Sequence, residues 1–245
     1  MFSRNELIWG KENQQLLKEK HVVIFGVGAV GGYAAEMLTR CGIGKITLVD
    51  FDEIDRGNLN RQIIALHSNI GKKKTVEFEK RLKDINPEIQ IRVFDDFYNE
   101  KLNDEIFSEK VDAVVDAIDT MKSKIQLLKY CRVNNIFVVS AMGAGNKLDP
   151  TQLVVKGISE TGKIKNAFAA NIIRILAREG ITDGITAVYS EENLKPLEKI
   201  QKREEVTLKS GEVVTFDKIT PGSISFVTAV SGSYCAYAVI KNFLT

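Results

Sequence analysis

The run His21-Val22-Val23-Ile24-Phe25-Gly26-Val27-Gly28-Ala29-Val30-Gly31 constrains this chain more than any other. A short apolar, β-branched segment ending in glycine is the pattern of a buried parallel strand. The glycines at 26, 28 and 31 allow a tight turn and close backbone approach to a phosphorylated ligand. Val30 to Cys41 then places Ala, Met and Leu at helical spacing, and Gly42 and Gly44 end that helix. KITLVD returns as a second strand that finishes on Asp50, where a carboxylate accepts ribose hydroxyls. The helix N-terminus adds N–H groups and the positive end of a dipole. A nucleotide follows from this βαβ unit, but NAD, FAD and ATP all remain open, and a tight turn with no ligand is the alternative reading.

Strand and helix alternate onward to about residue 145: KKKTVEFEKRLKDIN as helix, IQIRVF and VDAVVDAID as strands, SKIQLLKYCRVNN as helix, IFVVSAMG as strand. The expected class is α/β, a Rossmann-like, mainly parallel sheet with helices on both faces. Residues 1–245 are read as a single adenylating domain. It comprises a helical leader (1–20), a nucleotide-binding core (21–145) and an acceptor-side extension (146–245) that completes the sheet irregularly. In that extension QLVVKGIS and ITAVYS read as strands, and NAFAANIIRILAREG as a helix ended by Gly180. The charged stretch Glu191 to Glu205 has no clear period and is expected to belong to a mobile crossing loop at about 190–222. Within it, LKSGEVVTF reads as a hairpin turning at Ser210-Gly211. The last stretch, SISFVTAVSGSYCAYAVIKNFL, is apolar nearly all round and reads as a buried helix.

Composition narrows the class without naming a partner. Of 245 residues, 44% are hydrophobic and 27% charged, as in ordinary folded domains. The formal net charge of +2 neither demands nor excludes nucleic acid. Cys41, Cys131 and Cys235 lie far apart with no CxxC pair, which argues against structural zinc and for a reduced, cytoplasmic setting. The polar N-terminus is not an export signal, and no run is long and apolar enough for a membrane span.

DFDEIDRGNLNRQ extends beyond Asp50 and puts Asn58 and Arg61 on one side of a short helical turn; Lys74 follows Gly71 near a helix start. An arginine and a lysine aimed at one site suit a triphosphate, whose charge is spread over many oxygens. A solvated charged loop is the competing reading. Asp119, at the end of VDAVVDAID, is read at the carboxyl end of its strand, where it could hold Mg²⁺ against phosphates or simply cap the next helix. Asp116 is read on the same strand face, as an alternative or second ligand.

The set GVGAVGG, GIGKITLVDFDEIDRGNLNRQ, GKKK and DAIDT, in this order and spacing, resembles the ubiquitin-activating-enzyme-like superfamily over roughly Arg4 to Gly145. The resemblance implies an ATP-dependent enzyme that adenylates a carboxylate. It implies that Gly26, Gly28, Ala29 and Gly31 lie against the nucleotide, with Ala29 replacing a frequent glycine. It implies that Asp50 holds the ribose, Asp52 lies beside the nucleotide, and Asn58, Arg61 and Lys74 hold phosphates. Asp119 would hold Mg²⁺. It further implies a homodimer in which Arg4 completes the partner's site. WGKEN, NLNRQIIALHSNIGKKK and VVDAIDTMKSKIQLLKYCRVNN…DPTQL bring the chain closer to the tRNA threonylcarbamoyladenosine dehydratase subfamily. That implies a tRNA substrate and ATP-driven loss of water by ring closure.

The alternative is an adenylyltransferase for the C-terminal glycine of a ubiquitin-like sulfur carrier. An exposed thiol and zinc-binding cysteine pairs, both useful to such a relay, are missing from the motifs. Sulfur-transfer partner proteins, a non-catalytic nucleotide-binding scaffold and an NAD-dependent oxidoreductase are left open. Lys72, Lys73 and Lys74 form one basic cluster and Lys199, Lys202 and Arg203 another; either could track RNA phosphates or serve only solubility.

Overall fold

The computed structural model describes residues 1–161, 164–193, 200–207 and 213–245. Helix α1 (Ser3–Lys18) leads into β1 (His21–Phe25), α2 (Gly31–Cys41), β2 (Lys45–Val49), α3 (Lys74–Ile85) and β3 (Gln90–Phe94). A one-turn helix α4 (Asn103–Ile106), β4 (Ala113–Asp116), α5 (Met121–Val133) and β5 (Phe137–Ala141) follow. The later part holds β6 (Leu153–Gly157), α6 (Ala167–Arg178), β7 (Thr186–Ser190), β8 (Ile200–Thr207), β9 (Val213–Thr220) and α7 (Ser225–Leu244).

Seven strands form one sheet in the order β3-β2-β1-β4-β5-β7-β6, and only β6 runs antiparallel to its neighbour. This is the expected α/β architecture, with β6 and β7 completing the sheet from the C-terminal part. Strand residues alternate between two cores. Val22, Ile24, Ile46 and Leu48 pack with α1, α2, α3 and α7. Val23, Phe25, Val114 and Val138 pack with α5 and α6. The chain leaves β1 toward β2 and returns to β4 on the other side, so a crevice opens where β1 and β4 end.

Local chemistry explains most of the element ends. Gly42 and Gly180 adopt positive φ of 91° and 79° just after α2 and α6, where a Cβ would be strained. The leader is helical as expected, with a kink at Gly10 (φ 85°, ψ 163°). Helix α7 buries Val227, Gly232, Cys235 and Val239, and Gly232 lies so near α2 that a Cβ would stand 2.4 Å from the Val30 carbonyl oxygen. Its burial is less complete than the apolar composition suggests, because Phe226 and Tyr237 are exposed. Among the described residues no helix is long and apolar enough to cross a membrane.

Two expectations change. The segment 190–222, read as a mobile crossing loop, contains β8 and β9 paired antiparallel from Ile200↔Thr220 to Thr207↔Val213. The ribbon is longer than the hairpin read from LKSGEVVTF, and the turn read at Ser210-Gly211 falls on residues outside those described. Second, β4 stops at Asp116, so Asp119 is not on the strand but three residues into the loop beyond it. Asp116 does not share a surface with Asp119. It is fully buried, pairs with Lys124 Nζ at 2.5 Å, and accepts from Ser140 Oγ at 2.6 Å.

Such a dry ion pair holds a geometry rather than adding net stability, and losing one partner leaves an uncompensated charge. We expect Lys124→Met to lower unfolding free energy by about 3–5 kcal/mol. Urea denaturation checks this; a change below about 1 kcal/mol would mean that Asp116 finds another partner or takes up a proton.

Candidate functional site

The site begins with backbone crowding at the crevice. Gly26 has φ 81°, and a Cβ there would lie 2.8 Å from the Ala117 carbonyl oxygen at the end of β4. At Gly31 a Cβ would fall 1.8 Å from the Gly26 carbonyl oxygen. Both positions therefore require glycine for packing, before any ligand is considered. Gly28 differs: a Cβ would meet only the Gln62 side chain, at an ordinary contact distance of 3.5 Å, so packing alone does not require glycine there. Ala29 and Val30 complete the turn, and α2 starts without a side-chain cap. Its N-terminal N–H groups thus face the crevice with a positive dipole end.

Asp50 locks this turn from the β2 side. Its Oδ2 accepts from Val27 N at 2.7 Å and its Oδ1 from Asp52 N at 2.8 Å. Burial pushes its carboxyl up to about 6; the Lys74 charge pulls the other way and the Asp52 charge adds to the rise. Lys74 is the first residue of α3, only 3% exposed, and its Nζ reaches Asp52 Oδ2 at 2.6 Å. Lys74 N also donates to Asp52 O and Ile54 N to Lys72 O, so two short antiparallel segments hold the pair in register. Asp50, Asp52 and Lys74 form one arm beside the glycine turn.

The second arm comes from the turn after β2. Asn58 O accepts from both Arg61 N and Gln62 N, which puts Asn58 and Arg61 on one helical turn as read from their spacing. Asn58 Oδ1 is engaged by Asp55 N at 3.0 Å, so its amide NH₂ is the group left to meet a phosphate oxygen. Arg61 Nη1 donates to Gly57 O at 2.8 Å and Asn60 Oδ1 at 2.9 Å. Partial burial lowers the Arg61 pKa and the Asp119 carboxylate opposes that, so the two groups lie within electrostatic reach. The loop to Asp119 is anchored by Ile118 N donating to Asp116 Oδ1 at 3.1 Å. Asp116 is thus the foundation of that loop and not a ligand.

Gln62 was missed from the sequence, although it directly follows Arg61. Its side chain lies against Gly28, and its buried Oε1 makes no hydrogen bond among the described residues. A buried acceptor without a partner at the mouth of a cleft fits a bound ligand. The donor set, an arginine, a lysine, helix N–H groups and a ribose-type carboxylate, fits a nucleoside triphosphate. Among the described residues no three metal-binding side chains gather. Any Mg²⁺ here fits only the mode in which one or two carboxylates and phosphate oxygens share the ion.

Arg4 is not part of this cleft. It is exposed near the start of α1, where Asn5 Nδ2 donates to Arg40 O at the far end of α2. The eleven-residue α2 separates that point from the glycine turn by roughly 16 Å. The basic clusters also change meaning. Lys74 faces inward, and Lys73 pairs with Glu53 and Asp95, leaving Lys72 as the exposed member. Lys199 lies outside the described residues, as do the Lys202 and Arg203 side chains.

Comparison with known proteins bears on the family. The chain is 39% identical over 247 residues to the tRNA threonylcarbamoyladenosine dehydratase of Bacillus subtilis (strain 168), covering 99% of this chain and 94% of that protein. Crystal structures of the E. coli tRNA N6-threonylcarbamoyladenosine dehydratase in complex with ATP and with AMP each match at TM-score 0.84 and 32% identity. Each comparison covers 99% of this chain and 93% of that one. The ThiF family pattern spans residues 2–245, and the chain belongs to the ThiF family.

Proposed function

We propose that this chain is an ATP-dependent tRNA threonylcarbamoyladenosine dehydratase. The observation that carries the reading is the pairing of a triphosphate-shaped donor set around an open glycine turn with near-full-length similarity to dehydratases, one of them solved with ATP and with AMP. The threonyl carboxylate of the modified adenosine attacks the α-phosphorus, and pyrophosphate leaves. An atom of the same side chain then attacks the acyl adenylate, which closes a ring and releases AMP. The net change is loss of one water.

Each residue has a physical task. Gly26, Gly28, Ala29 and Gly31 let the backbone approach the nucleotide, Asp50 accepts from the ribose, and Asp52 orients Lys74. Asn58, Arg61 and Lys74 neutralise phosphate charge, which grows on the leaving pyrophosphate. Asp119 would hold Mg²⁺, whose contribution is further charge neutralisation at the phosphates. Residues 146–245 form the acceptor side.

The cysteines favour ring closure over a sulfur relay. Burial pushes Cys41 up to about 11 and Cys235 up to about 12, and raises Cys131 as well. Thiols with raised pKa values, two of them buried, are poor nucleophiles and poor sulfur acceptors. A tethered attacking atom needs neither. Reduced cysteines also fit a cytoplasmic protein.

We further propose a homodimer. Arg4 is too far from its own cleft to serve it, and Leu7 and Ile8 beside it are 83% and 81% exposed, an apolar face suited to a second copy.

Incubation of threonylcarbamoyladenosine-containing tRNA with ATP and the protein should yield tRNA lighter by one water, read by nucleoside mass spectrometry. Unchanged mass, or AMP formation only with a carrier protein, would reverse the choice of acceptor. Arg61→Ala and Asp119→Ala should each lower AMP formation by about 100-fold or more with thermal stability retained; normal turnover in either removes its assigned role. Arg4→Ala and Arg61→Ala should be inactive alone, and random mixing should restore about a quarter of parental activity through hybrid dimers. Absence of complementation, or a fully active monomer, would rule out sharing in trans.

Asp50 generates a pH prediction. Its pKa is raised on folding from 3.8 to about 6, so the folded protein retains a proton that the unfolded chain gives up. Its contribution is therefore present below about pH 4 and lost as pH rises through 6. Asp50→Asn should remove a pH-dependent loss on the order of 3 kcal/mol across that window, measured by urea unfolding of the ligand-free protein. Identical pH profiles would contradict it.

A further inference from the structure

Gln62 is a buried amide that the fold itself does not use. Its residue is 7% exposed, and its Oε1 is sealed from solvent with no hydrogen bond among the described residues. Its backbone is already satisfied: Gln62 N donates to Asn58 O at 2.9 Å, and Gln62 O accepts from Ala65 N at 3.0 Å. The side chain is therefore not needed to close the turn. A buried acceptor without a donor costs stability, so an apolar side chain of the same length would serve the ligand-free chain better.

Gly28 is unexplained in the same place. A Cβ there would stand 3.5 Å from Gln62 Nε2, an ordinary contact, and its φ is not positive. Neither packing nor backbone conformation demands glycine, in contrast to Gly26 and Gly31. A missing side chain just before a helix leaves room for an anion against the backbone N–H groups. The position along the nucleotide follows from Asp50, the carboxylate assigned to the ribose. It accepts from Val27 N at 2.7 Å, one residue before Gly28. The phosphate bonded to the ribose is the α-phosphate, so that group lies over Gly28. Arg61 and Gln62 are consecutive on a helical turn, and their side chains diverge by about 100°. Arg61 is in electrostatic reach of Asp119, while Gln62 lies over Gly28, so the two serve different oxygens.

We propose that Gln62 is a binding residue for the α-phosphoryl group. Phosphate oxygens only accept, and Nε2 is the donating end of the amide and the end that faces Gly28. The bond to a non-bridging oxygen persists through ATP, the acyl adenylate and AMP, because all three carry this phosphorus. It strengthens as charge builds there during attack by the carboxylate. The unpaired Oε1 is the penalty of aiming Nε2 at the turn. This rests on the assignment of the crevice to ATP and of Asp50 to the ribose.

The test is calorimetric binding of ATP, AMP and adenosine to the full chain, for the parent, Gln62→Met and Gln62→Glu, with Tm measured alongside. Gln62→Met should weaken ATP and AMP by about tenfold or more each and adenosine by less than about twofold. Its Tm should hold or rise, because a buried unpaired oxygen is gone. Gln62→Glu should weaken ATP and AMP further, since a carboxylate repels the phosphate. Parental AMP affinity in Gln62→Met overturns the proposal, and a loss confined to ATP overturns the α-phosphoryl assignment. Equal losses for AMP and adenosine with a lower Tm mark a packing contact and also overturn it. A parent that binds neither ATP nor AMP would instead overturn the nucleotide site on which the proposal rests.

Discussion

The close passage of two backbones at the mouth of β1 sets the geometry of everything around it. Gly26 lies against the Ala117 carbonyl and Gly31 against the Gly26 carbonyl at separations that no Cβ tolerates. This brings the turn after β1 and the loop after β4 together at the point where the strand order reverses. Asp50 binds the turn through Val27 N, and Gln62 touches it at Gly28. Each arm of the site is thus referenced to the same few glycines, and a shift in the turn would move all of them.

Charge is organised in two tiers beneath and around that turn. Below, Asp116, Lys124 and Ser140 form a dry cluster that fixes the loop to Asp119 through Ile118 N. Around it, Lys74 and Arg61 carry the cations; Asp52 holds Lys74, and Gly57 and Asn60 hold Arg61, before any ligand binds. Preorganised donors of this kind act on developing charge without reorganising during the step. The buried tier acts through geometry, because a desolvated ion pair is weak as a source of net stability. The thiols stand outside this arrangement, and desolvation raises the pKa of each.

Much of the site was legible because its residues follow chain-local rules. The βα turn announces itself through glycine spacing, Asp50 through its place at a strand end, and Asn58 with Arg61 through helical spacing. Lys74 was legible as a helix-start residue, but its neighbours Lys72 and Lys73 resembled it in type while facing elsewhere. Gln62 was overlooked because a lone amide has no periodic signature; only its burial beside Gly28 marks it. Asp116 and Asp119 were both read on one strand because a strand end cannot be located within three residues from an apolar run alone. The ribbon of β8 and β9 was read only in part, as the hairpin LKSGEVVTF, because the charged composition of β8 has no apolar alternation for a core-facing strand to display.

The sequence by itself determined the βαβ start and the mainly parallel sheet, since these depend on hydrophobic period and on positions where only glycine fits; the choice of ATP among nucleotides came from the resemblance. Tertiary structure alone decided which of two aspartates is buried, which of three lysines turns inward, and that Arg4 stands a helix length from its own cleft. Those outcomes depend on desolvation and on contacts between residues far apart in the chain. Such contacts are set by how the layers pack, and no local pattern encodes them.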